Sequence, residues 1–272
     1  MKNLKKFYKK TLFIGLLFMI FSCSKQEVAD LETIPNSTQE LKKSNNEKLN
    51  VFKGPQVQIG NGKARSWISV NKDGFPVELA LEFTSGLYED LENLPFETVL
   101  PLHLKATQLT PFEHITLNWN PHGHHPAFFV PHFDFHFYMI TNEDRLAIPE
   151  YSLETSALFT NLPPLGYMPA NYGTPPGQGG VYAQMGKHWL PLNLPDYLPF
   201  TKIMVLGSFD GEYIFMEPMA DLNYIQSNDA FGLDISQPLN YQEMNNYPTK
   251  YNIYHDDATG NTIVSLTDFV SR

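Results

Sequence analysis

The chain has 272 residues, enough for one large domain or two small ones, and its 42% hydrophobic and 14% aromatic content excludes wholesale disorder. Its formal net charge is −10, and removing residues 1–22, which carry five lysines and no acidic residue, lowers that charge to −15. Such an acidic chain repels phosphate backbones, which argues against nucleic acid as a partner.

The N-terminus predicts an exported lipoprotein. Basic residues precede an apolar run at 12–21 that is too short to span a bilayer, so we interpret residues 1–22 as a signal peptide. Ser22-Cys23 resembles a bacterial lipobox, in which the cysteine is lipidated, here with palmitate, and becomes the first mature residue. Ser24 stands where an aspartate would resemble an inner-membrane retention signal. We therefore expect an outer-membrane lipid anchor on Cys23, with the domain facing the periplasm or the cell surface; an uncleaved membrane anchor is the alternative.

The rest of the chain divides into a tether and one domain. Residues 23–50 comprise the lipidated cysteine and a polar segment that predicts a flexible tether. Residues 51–272 predict a single domain that is mainly β with a few short helices, either an antiparallel β-barrel or a β-sandwich. The predicted strands outside the histidine-rich region are 64–70, 76–83, 202–208, 212–216, 249–255 and 262–266, and the predicted helices are 85–94 and 222–227.

The histidine-rich region predicts a hairpin with one polar face that carries candidate functional residues. Five of the nine histidines fall within fifteen residues, and residues 113–119 and 128–141 both alternate with the period of a strand. His132, Asp134, His136 and Tyr138 share one face of the second strand, and Phe133, Phe135 and Phe137 share the other. If the two strands pair, the loop between them holds His122, His124 and His125 close to one end of the polar face.

Histidine and carboxylate are common ligands of zinc, iron and manganese. Neighbours on the polar face have Cα atoms about 6.6 Å apart, but His132 and His136 are about 13 Å apart. One ion can therefore take Asp134 with one neighbouring histidine, or Asp134 can orient both histidines. The remaining ligands must come from other parts of the chain. Trp189, which follows the candidate ligand His188, is expected to shield the site from solvent. The candidate ligands of a divalent transition metal are His124, His132, Asp134, His136, His188 and Glu217, and His114 is a further candidate.

Four motifs resemble a family of bacterial exported proteins and lipoproteins whose domain has no assigned function. They are Asn120-Pro121-x-Gly123-His124-x-Pro126, Pro131-His132-Phe133-Asp134-Phe135-His136-Phe137-Tyr138, Met185-Gly186-x-His188-Trp189 and Phe215-x-Glu217-Pro218-Met219. The resemblance spans roughly residues 60–230. It implies a β-rich extracytoplasmic domain without a known activity, and the six candidate ligands are the positions that match its pattern.

The leading functional hypothesis is an outer-membrane lipoprotein with a metal site that supports a hydrolase or isomerase reaction. In one alternative, the domain is a non-catalytic envelope binding or assembly module, and the His-Asp-His row is a structural hydrogen-bond network. Metal sequestration is a third hypothesis, and self-association and a small-molecule or glycan ligand stay open. The chain contains no Gly-x-Ser-x-Gly elbow, His-Glu-x-x-His motif, P-loop or dinucleotide fingerprint, so those classes lack support.

Overall fold

A computed structural model describes residues 49–272 except Asp90, Glu92 and Asn228. The predicted signal peptide, the lipidation site Cys23 and the tether as far as residue 48 lie outside the described residues. No helix within the described part of the chain is long and apolar enough to cross a membrane.

Two open antiparallel sheets form the architecture, which makes the fold a β-sandwich rather than a barrel. The first sheet contains, in spatial order, β1 (Asn50–Lys53), β3 (Gly62–Val70), β4 (Pro76–Phe83), β16 (Thr262–Thr267), β15 (Lys250–His255) and β13 (Phe231–Asp234), and β2 (Val57–Ile59) pairs with β3. The second contains β5 (Phe96–Pro101), β6 (His114–Asn120), β7 (His132–Tyr138), β12 (Glu212–Asp221), β11 (Lys202–Phe209), β10 (Gly186–Pro191) and β8 (Tyr172–Gly173), and β9 (Val181–Tyr182) pairs with β10. A separate two-stranded sheet joins β14 (Asn246–Tyr247) to β17 (Val270–Ser271).

The helices of the described residues are short and connect strands. They are α1 (Gly86–Glu89), α2 (Leu104–Leu109), α3 (Asn142–Leu146), α4 (Ser156–Thr160) and α5 (Leu222–Gln226), with one 3₁₀ turn at Leu194–Tyr197. Side-chain caps start three of them, because Nδ1 of His103 accepts from the backbone of Lys105, the hydroxyl of Thr141 accepts from that of Asp144, and the carboxylate of Asp221 accepts from that of Tyr224. Of the helix predicted at 85–94, the structure confirms Gly86–Glu89, and the described residues after it, Leu91, Asn93 and Leu94, are not helical.

The predicted strands and the hairpin of the histidine-rich region are confirmed, and one predicted strand is shorter than expected. Strands β3 and β4, β6 and β7, β11 and β12, and β15 and β16 all pair as antiparallel neighbours. The strand predicted to begin at residue 128 begins at His132. Upstream of it, the backbones of His124 and Phe128 bond to each other at 2.7 and 3.1 Å, which folds that segment into a loop.

The aromatic face of β7 lies in the core between the sheets. Phe133, Phe135 and Phe137 are fully buried, as predicted. The ring of Phe83, from the first sheet, lies 6.1 Å from Phe133 and 6.0 Å from Phe135. This arrangement joins the two sheets through aromatic side chains, whose burial is the main driving force for such packing.

The opposite face of β7 is also buried, which is unusual for the outer face of a sandwich. His132, Asp134, His136 and Tyr138 are at most 4% exposed. Two small apolar clusters cover this outer face, one around Phe128 and Phe200 and the other around Tyr138 and Phe159. The polar face predicted from the sequence is therefore enclosed by loops and short helices.

Candidate metal centre

The polar face is built from the register of β6 and β7. Asn118 pairs with Asp134, and Asn120 pairs with His132. The amide of Asn120 donates a hydrogen bond of 2.6 Å to Oδ2 of Asp134, which orients the carboxylate. Asn120 was not among the site residues predicted from the sequence, although its place in strict alternation with His114 and Asn118 would have indicated it.

His124, His132 and Asp134 converge to form the first of two groups, here called the Asp134 triad. Nε2 of His132 lies 3.1 Å from Nε2 of His124 and 3.2 Å from Oδ1 of Asp134. Nε2 of His124 lies 3.5 Å from Oδ2 of Asp134. Of the two arrangements that the sequence left open for β7, the structure therefore favours the one in which Asp134 joins a single strand neighbour, His132, and it adds the loop residue His124.

His136, His188 and Glu217 form the second group, here called the Glu217 triad. Nε2 of His136 lies 3.4 Å from Oε1 of Glu217, and Nε2 of His188 lies 3.6 Å from Oε2. These residues come from β7, β10 and β12, which are separated in the chain and adjacent, or nearly so, in the second sheet. All six predicted candidates are thus in the site, but they divide into two groups of three.

The hydrogen bonds of the Nδ1 atoms of three histidines show which ring nitrogen carries the proton and which carries the lone pair. Nδ1 of His124 lies 2.8 Å from the carbonyl of His125, Nδ1 of His132 lies 2.7 Å from that of Val130, and Nδ1 of His188 lies 3.0 Å from that of Gly180. A carbonyl oxygen only accepts, so each Nδ1 carries a proton and donates it. In the neutral imidazole, Nε2 then has a lone pair directed at the carboxylate.

Lone pairs that face one another at these distances need a proton or a metal ion between them. Two ligand atoms bound at about 2.1 Å to one ion, at angles of about 90–110°, are separated by roughly 3.0–3.4 Å. The nitrogen–nitrogen distance of the Asp134 triad and the nitrogen–oxygen distances of both triads, 3.1–3.6 Å, fall within a few tenths of an ångström of that range. The two groups could therefore each hold a metal ion.

Burial controls the charge of these groups. It lowers the pKa of His136 to about 3 and that of His188 to about 4, so both imidazoles are neutral at pH 7. Burial and the charge of Asp134 raise the pKa of Glu217 well above its ordinary value. Burial also opposes ionisation of Asp134, but the neighbouring imidazoles of His124 and His132 outweigh it and hold the pKa of Asp134 well below its usual range.

A small cleft reaches both triads. It has a volume of about 20 Å³, enough for one or two water molecules, and is lined by His124, His188, Tyr182, Phe128 and Met219, among others. The ring of Tyr182 lies 6.1 Å from that of His124 and 5.1 Å from that of His188. Tyr182 closes the site from the outside, and no pattern in the sequence indicated that role.

The prediction that Trp189 walls the site is wrong. Adjacent residues of a strand point to opposite faces, so Trp189 on β10 points away from its neighbour His188. Its indole nitrogen donates to the hydroxyl of Ser208 at 2.8 Å, and its ring packs against the core of the sandwich.

The other histidines of the described residues lie outside both triads. His114 is buried and stacks on Tyr138 with ring centroids 4.8 Å apart. His103 caps α2 by accepting from the backbone of Lys105, and His255 lies 3.3 Å from the hydroxyl of Thr262. His122 and His125 are exposed on the hairpin loop. The candidate His114 is therefore not a member of either group.

Replacing Asn120 by alanine should weaken metal binding at the Asp134 triad by about 10-fold, because outer hydrogen-bond partners of ligands typically contribute 10–100-fold to affinity. Titration of the chelator-treated protein with zinc measures the effect. Asn118→Ala is the control, since the Asn118 amide donates instead to Glu97 at 3.0 Å. Equal affinities for the two variants would contradict the assigned role of Asn120.

Gly207→Ala should lower the free energy of unfolding by about 1–3 kcal/mol, the usual cost of overpacking. A Cβ atom at Gly207 would overlap the ring of Phe215, which contacts the rings of His136 and His188 at 4.9 and 5.1 Å. Urea denaturation measures the change. If Gly207→Ala were as stable as the native protein, the close contact between residue 207 and the Phe215 ring would not require glycine.

The fold and the site together define a β-sandwich with two buried histidine–carboxylate groups of metal-ligating geometry. Comparisons of the chain with protein-family models, with curated proteins and with solved structures found no match. The resemblance to a family of exported proteins therefore stays a prediction from the motifs. What the protein does has to be inferred from the chemistry of the two triads.

Proposed function

We propose that the protein is an outer-membrane lipoprotein whose β-sandwich binds a divalent transition metal at the Asp134 triad. The observation that supports this most strongly is the approach of the His124 and His132 Nε2 atoms to 3.1 Å, with both Nδ1 atoms donating elsewhere. When both rings are neutral, neither Nε2 atom can donate a hydrogen bond to the other. Zinc, iron and manganese all fit a set of two imidazoles and one carboxylate.

Three protein ligands leave coordination positions open, as in catalytic rather than structural sites. When bound, a divalent ion with an open position acts as a Lewis acid and acidifies water. Around it, Asp134 and the two imidazoles hold the ion, Asn120 orients the carboxylate, and Tyr182 restricts access. Hydrolysis of a small envelope substrate is the reaction class that this arrangement supports best, and an isomerase-type proton transfer is the next.

Metal analysis of the full chain, purified in detergent without chelator, tests the binding proposal. We expect bound transition metal in the native protein and a clear loss in His132→Ala. His122→Ala is the matched control, because His122 is an exposed histidine of the same loop region. The proposal would be overturned if the native protein contained no transition metal. It would also be overturned if metal were lost in His122→Ala but kept in His132→Ala.

Turnover of chromogenic esters and phosphate esters tests the hydrolytic part. We expect activity that disappears with chelator, returns with metal and is absent in Asp134→Asn. A metal-loaded protein no faster than Asp134→Asn on every substrate would favour storage or sequestration over catalysis.

A second candidate function is a metal-free binding or assembly module. One observation favours it: although burial lowers the pKa of His124, the hydrogen bond that its ring makes to Asp134 and the negative charge of that carboxylate raise the pKa on balance. A protonated His124 would donate to Asp134, and the row would then be a structural hydrogen-bond network. The same metal analysis separates the two candidates.

The lipoprotein part of the proposal is supported by the basic N-terminus, the short apolar run and Cys23. Metabolic labelling with palmitate tests it. We expect a labelled protein in the outer-membrane fraction and no label in Cys23→Ala. A native chain without label would overturn the lipid anchor without affecting the metal site.

A further inference from the structure

The Glu217 triad repeats the ligand set of the Asp134 triad with three different residues. We propose that the Glu217 triad binds a second divalent transition-metal ion, so that the domain carries a two-ion centre facing one cleft. This second site rests on the proposed function of the Asp134 triad and extends it. Its support comes from the buried carboxylate, the two fixed imidazoles and the position of the cleft.

The carboxylate of Glu217 is buried without a hydrogen-bond donor for one of its oxygens. Its side chain is 2% exposed, and Oε2 has no hydrogen-bond partner among the described residues. Removing a carboxylate from water without such compensation costs several kcal/mol. A bound cation would compensate the ionised carboxylate; without one, burial favours the protonated form.

The nearest buried arginine does not fill this role. Arg145 donates to both carboxylate oxygens of Glu97, at 3.1 and 2.8 Å, and its Nε donates to Asn142 at 3.0 Å. Its guanidinium carbon lies 5.5 Å from the centroid of the Tyr138 ring, which also stacks on His136. The charge of Arg145 is therefore already paired with Glu97.

The imidazoles of the Glu217 triad are held in place for an ion. The ring of His136 stacks on Tyr138 at 5.3 Å with an interplanar angle of 6°, and neither of its nitrogens hydrogen-bonds within the described residues. The ring of His188 is fixed by the bond between its Nδ1 and the carbonyl of Gly180. Rigid imidazoles with free lone pairs lose little entropy on binding a metal.

The two triads lie side by side. Asp134 and His136 alternate on one face of β7, so their Cα atoms are about 6.6 Å apart. His124 of one triad and His188 of the other both line the cleft, and the ring of Tyr182 contacts both. Ions in the two triads would share the cleft and the water within it.

Metal stoichiometry of the full chain tests the proposal. The protein, purified in detergent, is stripped with chelator, reloaded with zinc and freed of excess by gel filtration before elemental analysis. We expect two zinc ions per chain in the native protein, one in Glu217→Gln, one in Asp134→Asn and none in the double variant. Replacing the exposed His122 by alanine is the control and should leave two.

The outcomes distinguish this inference from the proposed function. If both the native protein and Glu217→Gln contained one zinc ion per chain, the second site would be overturned and the Asp134 site would stand. No zinc in the native chain would overturn both. If circular dichroism shows that Glu217→Gln does not fold, His188→Ala replaces it, because His188 lies at the edge of the cleft, and the expected value is again one.

Discussion

Asp134→Asn should lower the zinc affinity of the Asp134 triad by more than about 100-fold, beyond the 10–100-fold that outer partners of metal ligands contribute. The substitution keeps the side-chain volume and an oxygen that can accept from Asn120, but it removes the charge that the ion requires. Competition with a chelator of known affinity measures the loss. Asn118→Ala is the control, because the native Asn118 side chain donates to Glu97 and not to Asp134. This variant should bind zinc with native affinity.

The stability of the same variant in chelator separates metal binding from a structural network. If the triad exists to hold an ion, the stability of Asp134→Asn without metal should stay close to that of the native protein. If Asp134 instead forms a buried ion pair with a protonated His124, removing one partner should cost about 3–5 kcal/mol. A large loss of stability in chelator together with unchanged zinc affinity would contradict the metal assignment.

Phe135→Ala should lower the free energy of unfolding by about 3–5 kcal/mol, the usual cost of truncating a buried phenylalanine. Phe135 is fully buried, and its ring stacks 6.0 Å from the rings of both Phe83 and Phe133 at the contact between the sheets. The sandwich cannot close around the space left by the ring without moving the strand that carries Asp134 and His136. Urea denaturation in the presence of chelator measures the change.

Phe129→Ala is the matched control for Phe135→Ala. Phe129 lies in the loop before the same strand but is 59% exposed, so its truncation should change the stability by less than about 0.5 kcal/mol. Equal losses in the two variants would mean that the aromatic face of β7 is not the centre of the core.

Local pattern was sufficient to predict the two faces of β7. The alternation of Phe133, Phe135 and Phe137 with His132, Asp134 and His136 has the period of a strand, and burial of the aromatic set follows from hydrophobicity. The hairpin with β6 was also predictable, because a loop of moderate length joins two alternating segments. That loop had to return His124 close to the start of β7.

The division into two triads was not predictable, because it depends on long-range strand pairing. Whether Glu217 approaches Asp134 or His136 is decided by the register of β12 on β7, in which Met216 pairs with Phe137 and Met219 with Asp134. A shift of two residues would exchange the partners without changing any local pattern. The sequence contains no marker of that register.

The loop segments that cover the outer face of the second sheet were also not predicted. The proline- and glycine-rich segment 161–181 forms little regular structure beyond β8 and the start of β9. Tyr182, at the end of that segment, closes the cleft because Val181 and Tyr182 pair with Lys187 and Gly186 of β10. Loop positions of this kind are determined by tertiary contacts and not by periodicity.

X-ray absorption spectroscopy of the zinc-loaded full chain tests most directly whether the imidazoles and carboxylates of the triads bind a metal. We expect nitrogen and oxygen ligands at about 2.0–2.1 Å, no sulfur, and the outer-shell scattering of two imidazoles per zinc ion. The imidazole scattering should weaken when His132 and His188 are replaced by alanine. A spectrum with oxygen ligands alone, or one that the two replacements leave unchanged, would contradict metal binding by the triads.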